Sequence, residues 1–259
     1  MKILKFISIL VFIFMLISCE QRNTVKNVII LIPDGTSSSL LTLARWYNDN
    51  EPLAIDPYIC GMIKTHTIDG KFPDSAPAAT AFATGMSTIS PYIGMDSAGN
   101  PRVSVLELAR RKGLSTGVVA TCEFPHATPA DFVCHYNSRE KEEKYEVLAK
   151  QFIYNSPNLV FAGGERFLEK NNYHRLLKPN NIELITSVAD FESITKLPES
   201  SSIWALFPDW QGNTAHLAYE RDRNPATAPS LSEMTAKAIK LLSQNENGFF
   251  LMVEGSQID

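Results

Sequence analysis

The sequence predicts a doubly wound, mostly parallel α/β sheet with helices on both faces. Three observations lead there. Apolar runs without polar alternation, such as NVIILIP, GVVAT and FFLMV, have the pattern of strands covered on both sides. Segments with helical periodicity separate these runs from Asn27 to the last residue. The runs end in polar or glycine-containing turns, and folds of this class bind ligands beyond the carboxyl ends of their strands.

The elements follow in order. Residues 1–18 carry Lys2 and Lys5, then an apolar run from Phe6 to Ile17. That is a charged start and an apolar core short for a membrane span, as in a secretory signal. Leu16-Ile17-Ser18-Cys19 resembles a bacterial lipobox, which implies cleavage before Cys19, lipidation on it, and a polar leash over 19–26. The expected location is outside the cytoplasm: periplasm, outer membrane or cell surface. NVIILIPDG reads as the first strand, buried on both faces. SSSLLTLARWY reads as a helix capped by one of Ser37 to Ser39. SVLELARRKG is a helix ending at Gly113, STGVVAT a strand, KEEKYEVLAKQFI a helix, and NLVFAGG and SIWALF two further strands. Ser230 with Glu233 three residues on forms a capping box for the helix ahead of the last strand, FFLMVEG. One domain, residues 27–259, accounts for all of this.

Composition narrows the function. The 259 residues are 44% apolar and 20% charged, enough for a single core. The net charge of −4 and the lack of a basic block argue against a nucleic-acid partner. With Cys19 set aside, Cys60, Cys122 and Cys134 remain, an odd number with no CxxC. They read as small buried residues, with a Cys122–Cys134 bond left open.

Polar residues at predicted strand ends mark the place for chemistry: Asp34 after the first, His126 and Thr128 after GVVAT, Glu254 closing the last. Ser75 in PDSAPAATAFATG reads two ways. Serine caps helices routinely, yet a helix N-terminus also attracts anions, and a serine there is placed to attack phosphorus. A free hydroxyl needs activation, which a metal ion supplies. The sequence has no GxSxG elbow, which argues against an α/β-hydrolase site.

Five collinear motifs resemble the alkaline phosphatase family: NVIILIPDGTS, DSAPAATAFATG, HATPADFVCHYNSR, LVFAGG and FFLMVEGSQID. The resemblance implies Ser75 as a nucleophile forming phosphoserine and Arg139 as the phosphate clamp. It implies two Zn2+ and one Mg2+. Asp34 would bridge a zinc and the magnesium, Thr128 and Glu254 would complete the magnesium's protein ligands, and Asp259 would hold the other zinc. His126 falls near the magnesium, in contact through water. Phosphate monoesters are the implied substrates and a homodimer the implied assembly. His66, His135, His174 and His216 have no ligand spacing.

The family's remaining zinc ligands are His and Asp residues beyond the EGxxID motif, at whose last residue this sequence stops. The expectation is therefore a C-terminally truncated fold, the N-terminal part of a longer phosphatase, with little or no hydrolysis by the 259 residues alone. Two other readings stay open: a phosphodiesterase or sulfatase of the same superfamily, and a non-catalytic surface lipoprotein that binds phosphate or metal.

Overall fold

A computed structural model describes residues 25–141, 143–170, 172–208 and 216–259. The predicted signal, Cys19 and the leash up to residue 24 lie outside the described residues. Six strands form one sheet: β1 (Asn27–Pro33), β2 (Ser115–Glu123), β3 (Leu159–Gly163), β4 (Ile182–Ile185), β5 (Ser202–Leu206) and β6 (Phe249–Gly255). The order across the sheet is β1-β6-β2-β3-β5-β4, and every neighbouring pair is parallel. The helices are α1 (Ser38–Tyr47), α2 (Ser75–Thr84), α3 (Val105–Arg111), α4 (Ala127–Asp131), α5 (Lys144–Tyr154), α6 (Arg166–Lys170), α7 (His174–Leu177), α8 (Val188–Ser193) and α9 (Leu231–Leu242). No helix among the described residues is long and apolar enough to cross a membrane.

Two cores explain the unbroken apolar runs. Side chains alternate across a strand, so Val118, Val160, Trp204 and Phe250 face one side of the sheet. They pack there with Ala76 and Ala83 of α2, Leu106 of α3, Ala130 of α4, and Leu148 and Phe152 of α5. Val119, Phe161, Ile203 and Leu251 face the other side, against Phe191 of α8 and Met234, Ala238 and Leu241 of α9. A strand covered on both faces has no polar side to show, which is why its sequence lacks alternation.

β1 departs from the expectation of burial on both faces. Leu31 is 67% exposed and Val28 and Ile29 are also open. Among the described residues β1 pairs with β6 alone, and α1, which follows it, buries no residue against the sheet. An apolar sequence specifies a strand, but its burial depends on what covers it. β4 was not anticipated. IELI is four residues long and, among the described residues, pairs with β5 alone, with Glu183 exposed, so it carries too little pattern to register. The three cysteines are free, and Cys60 is exposed while Cys122 and Cys134 are buried. The Cys122–Cys134 bond is therefore absent, and Cys60 is not a core residue, because it lies in a stretch without helix or strand.

The caps follow the sequence with one correction. Ser37 caps α1 by accepting from Leu40 N, and Ser104 and Ser230 each complete a capping box, with Glu107 and Glu233. At α2 the cap is Asp74, whose side chain accepts from Ala76 N at 3.0 Å. Ser75 is the first helical residue, so the cap reading of Ser75 is wrong. An aspartate one residue earlier takes that role and leaves the serine hydroxyl to a partner outside the helix.

A tight turn after Gly94 is held by Asp96, whose Oδ1 accepts from Ala98 N and Asn100 N at 2.9 Å each and whose Oδ2 accepts from Arg102 Nε at 2.9 Å. The Asn100 amide is the main cause that lowers the Asp96 pKa from 3.8 to about 2, with Arg102 adding to it. A lowered carboxyl pKa stabilises the fold above the unfolded value, and that contribution disappears as pH falls through the folded one. Thermal melts between pH 5 and 2 should therefore show Asp96→Asn converging on the wild type as the pH drops from about 4 to about 2. A constant difference across that range would show that Asp96 acts by shape alone.

Candidate active site

The site forms where β1, β6 and β2 end side by side. Their register sets Ile32 and Ala120 opposite Glu254, and Pro33 opposite Gly255. The Asp34 N–H donates to Gly255 O at 3.1 Å, which joins the turn after β1 to the end of β6. α2 then brings Ser75 in from outside the sheet. Ser75 Oγ donates to Asp34 Oδ2 at 3.0 Å. Its residue is 9% exposed, so the hydroxyl is nearly enclosed at the N-terminus of a helix, where backbone N–H groups and the helix dipole favour an anion.

Arg139 reaches the same place from the loop after α4. Its Nη1 lies 3.7 Å from Asp74 Oδ1, and its Nη2 lies 3.4 Å from His126 Nε2. His126 is lowered in pKa, chiefly by burial. The Arg139 and Lys144 charges push the same way, while Glu123 and Asp34 oppose them. A neutral imidazole results, suited to ligate or to hold a water.

Glu254 is 0% exposed, and its pKa rises to about 7, mainly through burial and further through the Asp34 charge. Its Oε2 accepts from Cys122 Sγ at 3.1 Å. Its Oε1, together with Thr128 Oγ1 and His126 Nδ1, is buried without a hydrogen-bond partner. Buried oxygens left unpaired are costly and call for a ligand. The donor atoms of Cys122, His126 and Glu254 lie within 4.8 Å of one another. Carboxylate and hydroxyl oxygens suit a hard divalent cation such as Mg2+, so the residues present fit that metal.

Of the predicted residues, Ser75, Asp34, Arg139, His126, Thr128 and Glu254 belong to this strand-end site. Asp259 lies at its margin. A Cβ at Gly35, which has φ +77°, would sit 2.5 Å from Asp259 Cα, so the two backbones touch one residue from Asp34 while the Asp259 side chain stays exposed. Two groups of three His, Cys, Asp or Glu residues could hold a metal among the described residues, and neither includes Asp34 or Asp259. One is the trio at the site. The other gathers Glu165, Glu169 and His174, a closeness that sequence spacing did not show.

Sequence reasoning missed Cys122 and Glu123. The thiol of Cys122 faces Glu254, and Glu123, 7% exposed, accepts from Tyr145 OH at 2.7 Å and bears on His126. Their position at the end of a buried strand was the available signal. An apolar groove of about 960 Å³ opens elsewhere, between β1 and α9, lined by Leu31, Ile55, Leu217, Leu231, Ile239 and Ile258, and contains none of the predicted site residues.

The fold and this cluster define a parallel α/β domain whose strand ends set a helix-borne serine, an arginine and a group of buried donor atoms from Cys122, His126, Thr128 and Glu254 side by side. The family model for alkaline phosphatase matches residues 25–259, and the chain belongs to that family. It is 36% identical to alkaline phosphatase 3 of Bacillus subtilis (strain 168), over 92% of this chain and 52% of that protein. The crystal structure of a cold-active alkaline phosphatase from a psychrophilic Shewanella sp. superposes with a TM-score of 0.80 at 32% identity, covering 90% of this chain and 57% of that one. A mutant of the TAB5 alkaline phosphatase with Mg bound in the M3 site gives 0.75 at 30% identity, covering 90% and 64%. The chain spans about half the length of the first curated relatives it matches.

Proposed function

We propose that the protein hydrolyses phosphate monoesters through a phosphoserine on Ser75. The observation that carries this reading is the Ser75 Oγ to Asp34 Oδ2 hydrogen bond at 3.0 Å, at a helix N-terminus beside Arg139. Asp34 orients the hydroxyl and draws its proton away from the attacking lone pair. The Arg139 guanidinium grips two oxygens of the phosphoryl group, and the N-terminus of α2 adds backbone donors. Attack by Oγ on phosphorus forms the phosphoserine as the phosphorus–oxygen bond to the leaving group breaks, and the proton lost by the serine balances the one the departing alcohol takes up. Water then attacks phosphorus from the opposite side, restores Ser75 and frees phosphate. Asp34, Thr128 and Glu254 would hold Mg2+, with His126 behind a water, and Asp34 and Asp259 would each offer a carboxylate to one of two Zn2+. Metals bound there would lower the serine hydroxyl's pKa and neutralise phosphate charge. The Mg-bound state named for the TAB5 mutant supports a metal at such a site in this family.

Trapping tests the reading directly. The full-length protein is incubated with 32P-labelled phosphate at mildly acidic pH, quenched in acid and digested. The expected label is acid-stable phosphoserine in the peptide containing Ser75. Monoester turnover with the label on another residue, or on none, would overturn the assignment.

A further inference from the structure

Asp131 is a carboxyl that the chemistry above does not use. It ends α4, three residues after Thr128, and is 0% exposed. Its Oδ1 accepts two hydrogen bonds, from Thr80 Oγ1 at 2.5 Å and from Gly94 N at 2.6 Å. Its Oδ2 is buried with no partner. Burial pushes its pKa well above the usual carboxylate range. A group this costly to enclose is retained where its contacts matter.

Those contacts lead to each working part of the site. Thr80 lies on α2, five residues after Ser75. Asp131 lies on the helix that carries Thr128. Gly94 belongs to the loop on which Arg139 hangs. Ile93 of that loop exchanges backbone hydrogen bonds with Tyr136 at 2.9 Å each way, and Pro91 O accepts from Arg139 N at 2.8 Å. Gly94 N also donates to Thr80 Oγ1 at 3.0 Å, so the three groups close on one another. Residue 94 has φ +60°, and a Cβ there would lie 2.2 Å from Cys134 O, so only glycine lets the loop approach this closely.

We propose that Asp131 is a positioning residue: its Oδ1 joins α2, α4 and the Gly94 loop, and so fixes Ser75 Oγ relative to Thr128 and Arg139. The proposal rests on the reading of Ser75 as nucleophile. It requires an acceptor oxygen at this point and no negative charge. Asparagine therefore substitutes for the carboxyl, and an apolar side chain of similar size does not.

The test compares wild type, Asp131→Asn, Asp131→Val, Thr80→Val and the double valine variant, each at full length and assayed at a temperature where near-UV circular dichroism shows it folded. A displacement of about 1 Å at a reacting centre lowers rate by about a hundredfold. The expected result is a fall in kcat of about 10- to 100-fold for Asp131→Val and Thr80→Val. KM should stay within about threefold, and the double variant should be no worse than the poorer single one. Asp131→Asn should keep kcat within about threefold of wild type. A purely structural role would move the melting temperature and leave kcat of the folded fraction untouched, and that outcome overturns the proposal. An equal loss of kcat in Asp131→Asn overturns it as well, since the charge would then be what matters. If Asp131→Val does not fold, Thr80→Val decides alone, because it keeps the shape and removes only the hydroxyl that donates to Asp131 Oδ1 and accepts from Gly94 N. Trapping on wild-type Ser75 separates the two readings. Label on Ser75 with unchanged kcat in Thr80→Val refutes the positioning role, whereas no label refutes the nucleophile and the positioning role with it.

Discussion

Replacing Ser75 with alanine in the full-length protein is expected to lower kcat/KM for a phosphate monoester by about a thousandfold or more, because the proposed covalent route would be lost and only water could attack. The helix should survive the change. Its cap is Asp74, which keeps its bond to Ala76 N, and alanine is a good first helical residue. The residue is nearly enclosed, so the small space left by one oxygen should change the melting temperature little. What is lost is the hydrogen bond to Asp34 and the atom that would carry phosphate. Steady-state assays with p-nitrophenyl phosphate, beside a thermal melt, separate these effects. Turnover within threefold of wild type would exclude the phosphoserine route.

The largest expected effect on stability is at Trp204. It is 0% exposed in the middle of β5, its Nε1 donates to Ser156 Oγ at 2.8 Å, and its ring packs on Phe124 at 5.1 Å and Phe152 at 6.2 Å between centroids. Trp204→Ala should cost about 3–5 kcal/mol, from lost burial and an unfilled cavity. For a chain of this size that lowers the melting temperature by roughly 10 °C. The damage should also reach the site, because Phe124 stands between Glu123 and the turn to His126. Denaturant unfolding of Trp204→Ala and Trp204→Phe tests this, with phenylalanine expected to recover more than half of the loss. A Trp204→Ala variant destabilised by less than about 1 kcal/mol would show that the aromatic cluster is not what holds β2, β3 and β5 to α5.

The sheet was legible because its central strands are buried on both faces, and that burial writes itself as unbroken apolar sequence. β2, β3, β5 and β6 all carry it. β1 carries the same signal without the burial, since coverage is a property of neighbours. β4 escaped notice because four residues hold no period. In the site, Asp34, His126, Thr128 and Glu254 stood out as polar residues at strand ends, but Ser75 read equally as a helix cap and Arg139 entered only when the motifs were taken together. Asp74 as the cap of α2 was not legible in the sequence, because Asp and Ser are both good caps and only geometry chooses between them. Asp131 was illegible for a different reason. An aspartate three residues after a threonine in a short helix says nothing about burial, and its partners Thr80 and Gly94 come from distant parts of the chain.

The position of β6 between β1 and β2 governs the order of assembly. β2, β3, β4 and β5 all lie within residues 115–206 and pair among themselves. Among the described residues β1 pairs with β6 alone, and residue 27 meets residue 249. Closing so long a loop costs chain entropy that local contacts cannot offset beforehand, so the β1–β6 pairing is a late event. Asp34 and Glu254 sit at the ends of those two strands and come together only when that pairing forms. A partly folded chain can thus hold β2, β3, β4 and β5 in place and still have no site, because Asp34 and Glu254 meet only when β1 and β6 pair.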